Sequence, residues 1–250
     1  MRLCFTSLSL PFFINIAFAQ TSFNYGPTNF DVVKKINVGD QNQSNVFRAS
    51  NLTSLDGILG SPYRNESFEP GIIYRNNDSV RTYLRYNGLN DEIEISLSKD
   101  AYSSTSAVKK SEFISCKIIN DFFVYMEYID ENKFKSKGYL INVYGGEKYN
   151  LYVRDKKVFK EGEKAKNSLE HDRPPKFTDK RTYFIQYMSD LPGAVKLNYK
   201  KISKLIAKED QIKLSKIKNS YRKINSLDKL ISLISNIDKH SLKWLKKIIL

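Results

Sequence analysis

The chain has 250 residues, 41 Lys and Arg against 27 Asp and Glu, and a formal net charge of +14. With 41% hydrophobic and 13% aromatic residues it is too rich in core-forming groups to be a disordered polymer. Eleven Gly and seven Pro without a period exclude a fibrous repeat, and the length fits one globular domain with smaller attachments.

The first residues carry the most specific signal. Arg2 supplies a positive start, Leu3 to Phe18 an apolar stretch, and Ala17-Phe18-Ala19 a small-x-small cleavage site. Together they read as a secretory signal peptide over residues 1–19, with cleavage after Ala19 and a mature start at Gln20. The apolar run contains Pro11 and Asn15 and falls short of the roughly 20 residues that a spanning helix needs, so cleavage is expected instead of anchoring. Cys4 leaves with this segment, and the mature chain keeps Cys116 as its one cysteine. A single thiol makes no internal disulfide, so stability has to come from a hydrophobic core. Cys116 lies within Phe113-Ile114-Ser115-Cys116-Lys117-Ile118-Ile119 and reads as a small core residue, not a nucleophile. The expected location is exported, periplasmic or associated with the outer envelope.

Residues 20–60 read as a polar, poorly ordered leader, as in Asp40-Gln41-Asn42-Gln43-Ser44-Asn45, with one short element around Val46 to Leu59. From residue 61 the pattern becomes short aromatic and β-branched runs separated by turn residues. Pro70-Gly71 opens Ile72-Ile73-Tyr74-Arg75, Asn76-Asn77-Asp78 turns the chain, and Val80 to Tyr86 returns. Gly88 to Asp91 turns it again. Ile93, Ile95 and Leu97 then alternate with Glu92, Glu94 and Ser96, which predicts a strand with one buried and one wet face. Val124, Met126 and Tyr128 alternate with Phe123, Tyr125 and Glu127, while Tyr139, Ile141 and Val143 oppose Leu140, Asn142 and Tyr144. Gly145-Gly146 predicts a hairpin into Tyr149, Leu151 and Val153, because both glycines tolerate positive φ. Residues 161–180, with Arg173-Pro174-Pro175-Lys176, read as a surface loop, and Tyr183 to Met188 as the last clear strand. The fold expected over 61–195 is mainly β: an antiparallel sandwich, curled sheet or small barrel. Aromatics on both faces of one strand, as at Phe122, Phe123, Tyr125 and Tyr128, predict either that both faces are covered, by a second sheet or by the tail helices, or that one face is a binding surface; coverage is the expectation favoured.

The tail over 196–250 switches to helical spacing. Ile202, Leu205 and Ile206 are spaced i, i+3, i+4, and Leu227, Leu230, Ile231, Ile234 and Ile237 follow Ser226 as a cap, so it reads as a basic appendix of short amphipathic helices. It carries 15 basic and 4 acidic residues, +11, whereas residues 20–195 carry 25 against 23, +2. Nearly all the excess positive charge is therefore here. Lys243, Trp244, Lys246 and Lys247 in the terminal segment mix cationic and apolar groups as interfacial helices do, and are the candidate residues for contact with an anionic membrane surface or another envelope protein. A solvated helix face explains the same charges. Lysines outnumber arginines 31 to 10, without the selective use of planar guanidinium groups, and no nucleic-acid partner is expected of an exported chain lacking a recognition motif.

Chemistry is sparsely signalled. His171, in Glu170-His171-Asp172, and His240 are the mature histidines; no G-x-S-x-G nucleophile elbow occurs, and neither histidine has a second one at i+3 or i+4. Glu92 and Glu94 share a strand face, and a glycosidase also pairs carboxylates, but a wet strand accounts for them equally. A hydrolase built on His171 or on these carboxylates is the weaker alternative. No catalytic residue, metal ligand or cofactor is expected, and no Gly-rich phosphate cradle is present.

Gly60-Ser61-Pro62-Tyr63 with Phe68-Glu69-Pro70-Gly71, then Arg85-Tyr86-Asn87 and Asp91-Glu92-Ile93-Glu94, then Gly138-Tyr139, Gly145-Gly146 and Leu151-Tyr152, form a pattern that ends in the basic stretch from Lys200 to Ile237. This combination resembles a group of exported proteins of Bacteroidota. The resemblance implies a periplasmic or outer-envelope location and assigns no activity to any residue. The sequence thus points to an exported, non-enzymatic envelope protein acting by binding or as a structural component, with peripheral membrane attachment through the tail as the rival.

Overall fold

A computed structural model describes residues 47–49, 57–101, 106–165 and 171–238. The signal peptide over 1–19, most of the polar leader, and Lys243, Trp244, Lys246 and Lys247 lie outside the described residues.

Eleven strands form one sheet: β1 (Phe47–Ala49), β2 (Glu69–Arg75), β3 (Asp78–Asn87), β4 (Glu92–Ser96), β5 (Ser106–Val108), β6 (Ile114–Ile118), β7 (Asp121–Ile129), β8 (Lys135–Gly145), β9 (Tyr149–Lys160), β10 (Lys176–Tyr187) and β11 (Gly193–Val195). Their spatial order is β1-β5-β4-β3-β2-β6-β7-β11-β10-β9-β8, and β7 also pairs with β8. All pairings between named strands are antiparallel except one, the parallel contact of Gly193 in β11 with Ile129 in β7. Strands β7 to β11 therefore curl into a partial ring, from which β6 through β1 continue as an open sheet.

Period two explains which side chains meet. Val124, Met126 and Tyr128 from β7 join Leu140, Tyr152, Phe184 and Ala194, one strand each from β8 to β11, so the ring is filled by a cluster to which all five strands contribute. Phe123 and Tyr125, on the opposite face of β7, join Tyr139, Ile141, Ile73, Leu84, Ile93 and Cys116 in a second cluster. Aromatics on both faces of β7 are thus covered, as expected. Cys116 is fully buried, and burial pushes its thiol well above its usual range.

Three short helices follow: α1 (Tyr199–Ile202), α2 (Gln211–Ile217) and α3 (Leu227–Asp238), with two 3₁₀ turns between the first pair and one between the second. Asn198 caps α1 through the Lys201 N–H, and the Ser226 hydroxyl accepts the Lys229 N–H at 3.3 Å at the start of α3, as its position predicts. Leu230, Leu233, Ile234 and Ile237 of α3 pack with Ile202, Ile206 and Leu214 against Tyr149, Leu151, Ile185 and Val195. The helical layer and one face of β9–β11 share a single core.

Three sequence expectations change. Residues 161–180 are not all loop: β9 and β10 pair along their full twelve residues, from Lys176↔Lys160 to Tyr187↔Tyr149, and the loop shrinks to the stretch before Lys176. The charged run Asp155-Lys156-Lys157 hides this hairpin, whose outer half alternates without a greasy face. Gly146 is not required for positive φ, since that conformation falls on Gly57 and Gly60 among the described glycines. A Cβ at Gly146 would instead overlap the Asp238 carboxylate and lie 2.8 Å from the Tyr144 hydroxyl. The third concerns Glu92 and Glu94, whose strand face is buried and not wet.

Candidate functional site: a cationic helical layer

The residues singled out for chemistry are not brought together. His171 is exposed on the β9–β10 loop, beside the backbone pairing of Glu163 with Arg173. Glu92 and Glu94 are only 2% and 3% exposed, so the face of β4 expected to be wet is covered. Arg85 lies directly opposite Glu94 in register. Its Nη2 donates to Glu94 Oε2 at 2.7 Å, and Asn87 donates to the other oxygen at 3.1 Å. The guanidinium is sandwiched by Tyr63 and Phe68, at 3.6 and 4.2 Å from the ring centroids. Segment 61–68, laid across β3 through the Tyr63↔Asn87 bridge, provides this cover. Glu94 is thereby committed to Arg85 and unsuited to acid–base work on a substrate.

A second polar group braces the sheet. Asp91, in the β3–β4 turn, accepts hydrogen bonds from the Tyr86 hydroxyl at 2.7 Å, the Tyr139 N–H at 3.3 Å and Arg154 Nη2 at 3.1 Å. Arg154 also donates to the Tyr128 hydroxyl. The close approach depends on Gly138, where a Cβ would meet the Asp91 carboxylate. Burial, reinforced by the negative charge of Asp91, holds the Tyr86 hydroxyl protonated well above its usual range. These side chains tie β3, β7, β8 and β9 together and form a structural brace. Among the described residues, no group of three His, Cys, Asp or Glu side chains is arranged to hold a metal ion.

The helical layer has a different character. Its apolar stripes are turned onto β9–β11, so the outward face is mostly polar, with Ile212 of α2 as an exposed apolar side chain at 68%. Lys196, Lys200, Lys201, Lys204, Lys208, Lys216, Lys218, Arg222, Lys223 and Lys229 are exposed; of the four tail carboxylates only Glu209 and Asp228 are. Asp210 and Asp238, at 1% and 4% exposure, point inward as latches. Asp210 accepts the Tyr149 hydroxyl at 2.9 Å, and that oxygen in turn accepts the Ala207 N–H at 3.1 Å. Asp238 accepts the Tyr144 hydroxyl and the Lys148 N–H, both at 3.1 Å. Glu209 is held by Lys148 Nζ at 2.6 Å, a contact that lowers its proton affinity. Folding therefore sharpens the charge contrast already present in the sequence: ten exposed cations against two carboxylates, one of them paired. Helical periodicity locates the lysines on the outer faces, but nothing in it shows that half of the tail carboxylates turn inward.

No helix among the described residues is long and apolar enough to cross a membrane, a statement that does not bear on strands. Comparisons with protein-family models, with curated proteins and with solved structures returned no match.

Proposed function

We propose that the protein is an exported, non-enzymatic component of the cell envelope that binds an anionic surface through its C-terminal helical layer. The export part rests on Arg2, the apolar stretch and Ala17-Phe18-Ala19. The observation that carries the binding part is the outward set of ten cations on a helical layer whose main apolar stripe packs on the sheet. The apolar stripe of α3 cannot insert, because Leu230, Leu233, Ile234 and Ile237 are at most 1% exposed, which leaves Ile212 of α2 as the exposed aliphatic side chain of these helices. Attachment by these helices is electrostatic, worth on the order of 1 kcal/mol per lysine near an anionic leaflet at modest salt. It fades as added salt shortens the screening length from about 10 Å at 0.1 M to about 3 Å at 1 M.

The test is co-sedimentation of the mature chain, residues 20–250, with vesicles of neutral or 30% anionic lipid. Binding to the anionic vesicles at low salt, and release at about 0.5 M salt, is expected from the screening argument. Equal recovery with neutral vesicles, or none with either, removes the proposal. Charge-neutralising substitutions are the right variants, because deletion of the helices would uncover Tyr149, Leu151 and Ile185. Fractionation of the producing cell with N-terminal sequencing tests export: a cytosolic chain beginning at Met1 would refute it.

A further inference from the structure

One part of the cationic layer is a recess instead of an open face. Its volume is about 240 Å³, and it is lined by Lys133, Lys196, Lys201 and Lys204 around the apolar floor of Ala194 and Leu205. The four lysines come from separate places in the chain: Lys133 from the β7–β8 turn, Lys196 from the end of β11, and Lys201 and Lys204 from α1 and the turn after it. The ring seam brings them together, since the Ile129 N–H donates to the Pro192 carbonyl at 2.8 Å and holds the β7–β8 turn beside β11. That turn is well defined: Asp130 Oδ1 accepts the N–H groups of Asn132 and Phe134, both at 2.9 Å, and Lys133 takes φ 71°. Glu131 also lines the recess, but Lys180 Nζ neutralises it at 2.7 Å. Among the described residues the four lysines form no ion pair, whereas Arg154, Lys157, Lys180 and Arg181 on the ring strands do. Phe134, the residue after Lys133, is 69% exposed. An unneutralised pocket of ammonium groups takes a small, multiply charged anion, and an exposed aromatic next to it suits the interfacial region of a bilayer.

We propose that this recess is a phosphate site for the headgroup of an anionic membrane lipid, with Phe134 entering the interface beside it. The proposal rests on the reading of the helical layer as the membrane-facing surface and gives that surface a specific point of attachment. The lysines surround the phosphate oxygens as separate point charges, and the seam between β7 and β11 fixes their spacing.

Three forms of the mature chain separate this site from diffuse attraction: wild type, Lys133→Gln/Lys201→Gln/Lys204→Gln, and the control Lys208→Gln/Lys216→Gln/Lys218→Gln, which removes the same charge from the exposed helices. Each is titrated with phosphatidic acid vesicles and with phosphatidylglycerol vesicles of matched surface potential. The recess variant is expected to lose at least about tenfold in affinity for phosphatidic acid, against about threefold for the control, and Phe134→Ser to weaken vesicle binding alone. Equal losses in the two triple variants, or equal wild-type affinity for the two lipids, overturn the recess and leave electrostatic attachment standing. Failure of wild type to bind any vesicle overturns both. Inorganic phosphate and glycerol 3-phosphate identify the source: if either binds wild type as tightly as phosphatidic acid vesicles do, the site takes the free anion and the lipid assignment is wrong. All substituted side chains are exposed, and an unchanged circular dichroism spectrum and unfolding midpoint confirm that each variant is folded.

Discussion

Arg85 and Glu94 show what a period-two pattern contains and what it omits. Alternation places Glu92 and Glu94 on the face opposite Ile93 and Ile95, and that assignment holds. Whether the face is wet depends on Tyr63 and Phe68, which are some twenty to thirty residues away in the chain and lie over it after folding. A buried ion pair contributes little net stability compared with apolar residues of similar shape, but leaving one partner alone costs about 3–5 kcal/mol. Arg85→Met and Glu94→Leu are each expected to destabilise by about that amount, while the double variant loses less than either single one. Urea unfolding of the four proteins measures the coupling; additive losses would show that the two groups do not depend on each other. Cys116 marks the opposite case, a residue whose burial is legible because every neighbour in its strand is apolar or alternates outward.

At the scale of elements, hairpins were legible and latches were not. The turn from β8 to β9 announces itself through Gly145-Gly146, yet its purpose is to admit Asp238 from α3, ninety residues on. The Tyr144 hydroxyl that donates to Asp238 is pushed up to about 12, by burial first and then by the carboxylate's charge. Burial raises Tyr149, which donates to Asp210, in the same direction. In the unfolded chain these phenols ionise near 10. A group whose proton is held more tightly in the folded state contributes stability that is complete below the unfolded value and is lost as pH rises through the folded one. The attachment of the helices to the hairpin is therefore expected to weaken between about pH 10 and pH 12. Tyr144→Phe gives up about 1–3 kcal/mol at pH 8, because it leaves a buried carboxylate oxygen without that donor. It also removes one titrating group, so its unfolding midpoint falls less steeply above pH 10 than that of wild type. A parallel decline in the two proteins would mean that Tyr144 is not responsible.

For the molecule as a whole, local signals identify most strands but not the order in which they sit. β2 pairs with β6 and β1 with β5 across intervening hairpins, a choice made by which edges remain open once neighbouring strands have paired. The ring likewise depends on a short strand, β11, that follows Pro192 and spans three residues. β11 pairs with β10 at three positions and with β7 only through Gly193↔Ile129, whereas β9 and β10 share a ladder of twelve. Local opening requires breaking the contacts that hold a segment, so the segment with the shortest ladder opens at the lowest free energy. Hydrogen exchange followed by mass spectrometry is expected to show peptides covering 192–198 exchanging ahead of those covering 150–158 and 178–186, at times when the long hairpin is still protected. Because Lys196 to Lys204 hang from this seam, occupation of the recess by an anion would slow exchange at 192–198 in particular. Uniform protection across β9, β10 and β11 in the free protein would show instead that the ring opens only with the whole sheet, and that the lysines beside the seam are held as firmly as the hairpin itself.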